Sequence, residues 1–403
     1  MNVGFIARSI AVLLLTTVLC SVLLTRASAP PTSSLNSALN GTNNGPLYLG
    51  QGAVNLQPGQ TVAIYPAVTG HIFFTSVTHN LYFITGQHLR RQYTADGGSV
   101  APAVSADGSH LLWVETHQDY SDILLSSLQY GQDGSVHPGP AQQLTQDQYP
   151  PTALQRVPAP YGYDNRYWWF GTKPAWSSDG TRITYVSDRP GFDPADPEIV
   201  AGAIWEQALT DPITNALQLS SPLAGTGGHD SPVWQPNGSN IVYANYVSSI
   251  NQPNGQSTLE AVQAPTTNGN SAATASSSSS TIDLTPLGLT DEFPSFSPNG
   301  KQIAFIEDIE HTRTVLRIMP FTPPGDPNDY GRGRVLLKGT PFVTQPFWSP
   351  DGKYLGYLIG SGDSFTMAIR AVNRVGNDLH LGPEISVPQA GIVGADYRPA
   401  WGP

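Results

Sequence analysis

The sequence is poor in cysteine and in charge. Its 403 residues contain one cysteine, Cys20, and only 12% of them are charged. Because no cysteine follows Cys20, the rest of the chain can form no disulfide bond, perform no thiol catalysis and bind no metal cluster through cysteine. The formal net charge of −11 argues against a basic surface for nucleic acid.

Catalytic signatures are missing as well. The chain has no Gly-x-Ser-x-Gly turn, no His-Glu-x-x-His pair and no phosphate-binding loop. Its nine histidines are scattered rather than spaced as metal ligands. We predict no catalytic residue, no metal site and no cofactor, with a Ser-His-Asp site assembled in space as the alternative.

Glycine and proline, in contrast, are abundant, with 40 and 36 residues, and many belong to one recurring phrase. The phrase runs Pro-x-Trp-Ser-Pro-Asp-Gly with small variations. Five copies and a shortened sixth occupy residues 102–108, 174–180, 232–238, 294–300, 346–352 and 399–403. Such recurrence is typical of an array of similar structural units.

Each copy predicts half of a β-hairpin. Asp-Gly or Asn-Gly forms the turn, with glycine in the left-handed conformation, and an alternating strand such as Ile303 to Phe305 follows it. Further strand-like segments bring each unit to about four strands. The aromatic residue two positions after the leading proline is expected to pack against the next unit.

The sixth copy is not followed by outer strands, and residues 71–93 supply three candidates. The predicted fold is therefore all-β. It is a six-bladed β-propeller of four-stranded antiparallel blades, with the last blade closed by the N- and C-terminal segments. Such closure removes exposed sheet edges. An open stack of hairpins is the alternative.

The copies at 294–305 and 346–357 resemble the repeat of the TolB-type propeller family, in which Pro-x-Trp-Ser-Pro-Asp-Gly precedes Ile-Ala-Phe. The resemblance covers about residues 70–403. It implies the fold and says little about function, because such blades occur in periplasmic scaffold proteins and beside peptidase domains. TolB also has an N-terminal α/β domain, which we expect this chain to be without, so that domain's binding role is not carried over.

The first residues have the pattern of an export signal. Arg8 precedes the apolar stretch 10–24, and small residues follow it. We predict that residues 1–29 are a cleaved signal peptide or, as the alternative, an N-terminal anchor. The protein is then exported, and it is periplasmic, extracellular or membrane-anchored facing outward.

The rest of the chain divides into a tether and one domain. Residues 30–46 are predicted to be a flexible polar linker, and 47–403 the propeller. A run of serines lies within 264–281, which lacks the apolar residues needed for order and is predicted to be a disordered insertion.

Residues just before each leading proline would lie on the innermost strands and line a central channel. The candidates are Lys173, His229, Asp230, Asp291, Glu292, Gln345, Asp396 and Arg398. This mixture of charges could hold the charged end of a peptide or a cation. Alternatively, the charges pair with one another and only keep the blades in register.

A second candidate surface is the aromatic loop between the first two copies, at residues 147–170. Its candidate contact residues are Tyr161, Tyr163, Tyr167, Trp168 and Trp169. Tyrosine and tryptophan are frequent anchors of binding interfaces. The loop is either a recognition rim or a plug over the channel.

Together these features predict a non-catalytic, exported or cell-envelope β-propeller. It would act as a monomer and bind a protein or peptide of the cell envelope through its channel mouth and aromatic loop. No nucleic acid is expected as a partner, and contact with the membrane only through an N-terminal anchor. The alternative is a propeller hydrolase or lyase that acts on a glycan or peptide through the channel carboxylates.

Overall fold

The computed structural model describes residues 47–48, 53–54 and most of 69–403. The gaps within the last range are 86–89, 119, 133, 148–169, 189–201, 211–215, 223–225, 250–255, 266–280, 322–330, 332, 339–341, 376–377 and 388–389. The predicted export signal, the linker, most of the predicted insertion and the five aromatic-loop candidates therefore lie outside the described residues.

The chain divides into two units, Met1–Ile64 and Tyr65–Pro403. In the first unit the described residues form two short strands, β1 (Leu47–Tyr48) and β2 (Ala53–Val54), which pair antiparallel. No helix with the length and hydropathy of a membrane span occurs among the described residues.

The described regular elements of the second unit are all β-strands. Before the first repeat come β3 (His71–Thr75), β4 (Leu81–Thr85) and β5 (Arg90–Gln92). The first two repeats contain β6 (Ser99–Val104), β7 (His110–Thr116), β8 (Ser121–Tyr130), β9 (Val136–Pro138), β10 (Gln142–Gln143), β11 (Gly171–Trp176), β12 (Arg182–Ser187), β13 (Ala203–Ala208) and β14 (Leu217–Gln218).

The later repeats continue the pattern. The third and fourth contain β15 (Thr226–Trp234), β16 (Asn240–Ser249), β17 (Ser257–Gln263), β18 (Ile282–Asp283), β19 (Thr290–Phe296), β20 (Gln302–Ile309), β21 (Arg313–Pro320) and β22 (Arg334–Lys338). The fifth and sixth contain β23 (Phe342–Trp348), β24 (Tyr354–Ser361), β25 (Ser364–Val375), β26 (Asp378–Ser386) and β27 (Ala400–Gly402).

These strands form one sheet for each of three repeats and a larger sheet for two others. The first-repeat sheet contains β6 to β10, the second-repeat sheet β11 to β14 and the fifth-repeat sheet β23 to β26. Strands β15 to β22 form an eight-stranded sheet, whose third-repeat and fourth-repeat halves are joined by one parallel bridge, Ser257 to Thr290. The terminal sheet has the order β27-β3-β4-β5, so the last strand of the chain pairs with a strand ahead of the first repeat.

The hairpin turns follow the predicted chemistry in four of the five full copies. In the fourth copy, for example, the Gly300 N–H donates to the Ser297 carbonyl, and Gly300 has a φ of 66°. The third copy differs, because Asn237 rather than Gly238 takes the left-handed conformation, with a φ of 57°. Asparagine tolerates this conformation better than most residues with a side chain.

The apolar core lies between sheets, and the repeat aromatics are part of it. Trp176 packs with Val100 and Leu112 of the first-repeat sheet, and its indole N–H donates to the Ala103 carbonyl over 2.9 Å. The Trp348 indole reaches back to Ser295 in the same way, over 3.3 Å. The prediction that the aromatics pack against the next unit was therefore wrong for Trp176 and Trp348, because the indole hydrogen bond joins each of these two to the preceding unit.

Candidate functional site

In every full repeat the inner strand has an irregularity at its leading proline. The register with the neighbouring strand shifts there, as between Thr172 and Ala175. The residue before the proline has a φ of 49° to 53°, although it is never glycine: it is Ala101, Lys173, Ser231, Phe293 or Gln345. Bulges re-aim side chains, and such strained conformations cluster at binding sites.

These inner strands surround a cavity of about 440 Å³. All six copies of the phrase contribute to its lining, and its polar side chains include Lys173, Ser231 and Gln345 on the strands and Asp396, Tyr397 and Arg398 just before β27. Prolines make up much of the remaining wall, which is lined by Pro102, Pro174, Pro232, Pro236, Pro298, Pro350 and Pro399. The volume lies in the range of ligand pockets.

Lys173 is already paired within the protein. Its Nζ donates to Asp230 Oδ2 over 2.5 Å, and both side chains are largely shielded from solvent. The same ammonium lies 5.9 Å from the centre of the Phe293 ring, close enough for a cation–π contact. This pair connects the second and third repeats across the inner strands.

Arg398 has no such partner. It lines the cavity, its Nε is buried, and its guanidinium makes no hydrogen bond or ion pair with the described residues. Burial lowers the pKa of Arg398 to about 10, and the negative charge of Asp230 only partly opposes that shift. A cation withdrawn from water without a partner is costly, so this guanidinium is a candidate contact for an anionic ligand.

The other predicted channel carboxylates divide between buried and exposed positions. Glu292 accepts a hydrogen bond from the Tyr246 hydroxyl over 2.7 Å, and burial raises the pKa of its carboxyl. Asp291 is 1% exposed. Asp396 is exposed and is the one predicted carboxylate that lines the cavity.

Gln345 and His229 are both buried, and of the two only Gln345 belongs to the cavity lining. Gln345 is 1% exposed, and its Nε2 donates to the Ala395 carbonyl over 3.1 Å. The His229 Nδ1 lies 2.6 Å from Ser220 Oγ, which also accepts a hydrogen bond from the Ile204 N–H. His229 therefore acts as a neutral hydrogen-bonding link between two sheets.

We expect His229→Gln to make stability less sensitive to acid. Burial lowers the pKa of His229 from 6.5 to about 4. Between these values the unfolded chain binds a proton that the folded chain does not, so stability falls as the pH falls through this window. In the wild type this loss in the free energy of unfolding reaches about 3 kcal/mol by pH 4. Urea unfolding of both proteins at pH 7 and pH 4 measures the difference.

His137→Gln is the matched control, because the His137 side chain is exposed. Its loss of stability between pH 7 and pH 4 is expected to equal that of the wild type. If His229→Gln lost as much stability as His137→Gln, the imidazole would be charged in the folded protein, and the buried neutral link would be wrong.

No model of a known protein family matches the chain, and no curated protein matches it either. Solved structures, in contrast, are similar to the chain. The chain is similar to TolB from Acinetobacter baumannii, with 13% identity, a TM-score of 0.50 and coverage of 83% of this chain and 67% of that one. The fold is a β-propeller. A putative TolB from Agrobacterium tumefaciens is also similar, at 16% identity and a TM-score of 0.42, covering 70% of this chain and 87% of that one.

A propeller in a nidogen/laminin complex has a similar level of likeness, with 13% identity and a TM-score of 0.44, covering 82% of this chain and 97% of that one. At these identities the likeness concerns the fold alone. The function of this propeller has to be argued from its own side chains.

Three residues of the cavity lining were not among the sequence candidates: Ala101, Ser231 and Tyr397. The candidates were taken mostly from the charged residues just before each leading proline, whereas the lining also contains uncharged residues at those positions. Burial raises the pKa of Tyr397 to about 12, so its hydroxyl stays protonated.

Two further predictions concern residues around this site. Among the described residues no group of three or more histidine and carboxylate side chains is placed to hold a metal ion. The five aromatic-loop candidates lie outside the described residues, and the residue that follows them, Phe170, is 43% exposed. Its N–H donates to Asp188 Oδ1 over 2.7 Å at the start of β11.

Proposed function

We propose that the chain is an exported, monomeric six-bladed β-propeller that binds a protein or peptide of the cell envelope in its central cavity. In this proposal the two halves of the eight-stranded sheet are separate blades, and the terminal sheet is the sixth. Export rests on the pattern of residues 1–29.

Closure of the ring is supported by the two neighbours of the terminal sheet. Ile72 and Trp401 share a core cluster with Phe347 and Leu358 of the fifth-repeat sheet. On the other side, Phe73 and Phe83 share a cluster with Leu111 and Trp113 of the first-repeat sheet. Each remaining pair of consecutive repeats shares a cluster in the same manner.

The observation that carries the binding function is the cavity with its unpaired guanidinium. The cavity is lined by every copy of the phrase, and Arg398 has no hydrogen-bonding partner among the described residues. The alternative hydrolase or lyase would act through the four predicted channel carboxylates, but of these only Asp396 lines the cavity. We therefore favour binding over catalysis.

Blocking the cavity tests this function. Ala106 is exposed, lies in the first-repeat turn and lines the cavity, so Ala106→Trp is expected to fill the entrance and leave the fold intact. Ala95→Trp adds the same ring at an exposed position outside the cavity lining. The measurement is a crosslinking pull-down from the native cell envelope with wild type and both variants.

The expected result is one partner that is captured by the wild type and by Ala95→Trp and is lost with Ala106→Trp. Capture of the same partner by all three proteins would remove the cavity from the binding site. Failure of the wild type to capture any partner above background would contradict the binding function itself.

A further inference from the structure

We propose that the cavity binds a peptide through a carboxylate group, which the Arg398 guanidinium holds. The inference rests on the proposed function and names the chemistry of its ligand. The group is either the C-terminal carboxylate of the peptide or an acidic side chain, and the experiment below separates these two sources.

The two cations of the cavity differ in whether they have a counter-charge. Lys173 has its counter-charge at 2.5 Å in Asp230, so it needs no further anion. Arg398 lies on the same lining, and none of the described carboxylates forms an ion pair with it. A guanidinium presents a planar set of donors that matches a carboxylate in a two-point contact.

The neighbouring acids do not neutralise Arg398: Asp230, whose negative charge acts on it, is bound by Lys173. Glu292 is bound to the Tyr246 hydroxyl and lies outside the cavity lining. Asp396 lines the cavity, but it is exposed and forms no ion pair with the described residues. The guanidinium therefore remains available to a carboxylate from outside.

The walls of the cavity favour a peptide over a sugar as the ligand. Several serine hydroxyls at the wall are occupied by their own turns: Ser105 donates to Asp107, Ser177 to Asp179 and Ser349 to Asp351, over 2.5 to 2.7 Å. The rest of the wall is mostly apolar, with prolines, alanines and four tryptophans as its commonest residues. An oligosaccharide needs hydrogen-bonding partners for many hydroxyls, whereas a peptide with apolar side chains fits this surface.

The experiment compares three arrays that carry the same random-sequence peptides. One array has free C-terminal carboxylates, the second has C-terminal amides, and the third has amides with every Asp and Glu replaced by Asn and Gln. Labelled wild-type protein is applied to all three, and an oligogalacturonate array serves as an acidic sugar. Dissociation constants of the strongest peptides are then measured in solution for wild type, Arg398→Met, Arg398→Lys and Arg374→Met.

Arg374 is the matched control, because it is an exposed arginine whose Nη1 donates to Gln302 Oε1 over 2.9 Å, away from the cavity. We expect Arg398→Met to weaken binding about 30-fold or more, since it removes a charged hydrogen-bonding partner. Arg398→Lys keeps the charge without the two-point geometry, so its dissociation constant should lie between those of the wild type and Arg398→Met. Arg374→Met should bind like the wild type.

Stability of the free protein gives a second readout. Because Arg398 has no ion-pair partner among the described residues, Arg398→Met should raise the melting temperature by about 2 °C rather than lower it. A lower melting temperature would show that the guanidinium holds the fold together, and the carboxylate contact would lose its main argument.

The outcomes separate the two proposals. Binding that is lost in the amide array assigns the C-terminal carboxylate, and binding that is lost only in the third array assigns an acidic side chain. Equal binding to all three arrays overturns the carboxylate contact and leaves peptide binding standing. Binding to oligogalacturonate alone would be consistent with an acidic ligand but would overturn the peptide as that ligand. No binding to any array would overturn both the carboxylate contact and peptide binding.

Discussion

Trp401→Ala is expected to lower the free energy of unfolding by about 3–5 kcal/mol. The side chain is 8% exposed and packs against Phe347 and Tyr354, with ring centres 6.0 and 6.2 Å away. Its indole N–H donates to the Thr69 carbonyl over 3.0 Å. The substitution therefore opens a cavity and breaks a hydrogen bond where the terminal sheet meets the fifth-repeat sheet.

Urea unfolding measures this effect, with Phe170→Ala as the control. Phe170 is 43% exposed, so its removal is expected to cost less than about 1 kcal/mol. If the two variants lost the same stability, β27 would not be an integral part of the fold, and the proposed closure would lose its principal support.

The second large effect is expected for the buried ion pair of the fourth repeat. Glu307 is 1% exposed and accepts a hydrogen bond from Arg317 Nε over 2.5 Å. Arg317 also donates through Nη1 to the Gly333 carbonyl over 3.0 Å. Glu307→Ala leaves the guanidinium buried without its counter-charge and should cost about 3–5 kcal/mol.

A double variant distinguishes lost charge balance from lost packing. Glu307→Gln combined with Arg317→Met removes both charges and should be closer to the wild type in free energy of unfolding than Glu307→Ala is. Asp378→Ala breaks an exposed pair with Arg334 and should change stability by less than about 1 kcal/mol. A double variant as unstable as Glu307→Ala would mean that packing alone explains the loss.

Much of the strand order could be predicted because the repeat marks it. The Asp-Gly and Asn-Gly turns and the alternating residues after them locate the first two strands of each unit, and the three candidate strands within 71–93 correspond to β3, β4 and β5. The outer strands were harder to predict. β14 has only two residues, and in β26 the alternation of Leu379 and Leu381 is interrupted by a Gly-Pro pair, so neither shows an alternation long enough to reveal a strand.

The candidate site was predicted only in part, because charge was a weaker guide than position. Lys173 and Arg398 do line the cavity, but the sequence could not show that one is paired and the other is not. That difference depends on Asp230, which lies 57 residues from Lys173 along the chain. The role of His229 also depends on a partner outside its own strand, Ser220, which follows β14.

The direction in which the aromatics pack was not predictable either. Nothing in the phrase says whether Trp176 faces the preceding or the following unit. The indole N–H decides it, since a buried donor needs an acceptor, and the Ala103 carbonyl of the preceding inner strand provides one.

The central claim is that a partner binds inside the cavity, and a photo-crosslinking measurement tests it most directly. A small aliphatic diazirine residue is placed at position 106 in one protein, on the cavity lining, and at position 95 in another, outside that lining. Both proteins are irradiated in the native cell envelope. The account predicts a covalent adduct with one partner at position 106 and none at position 95. An adduct at position 95 with none at 106 would contradict it.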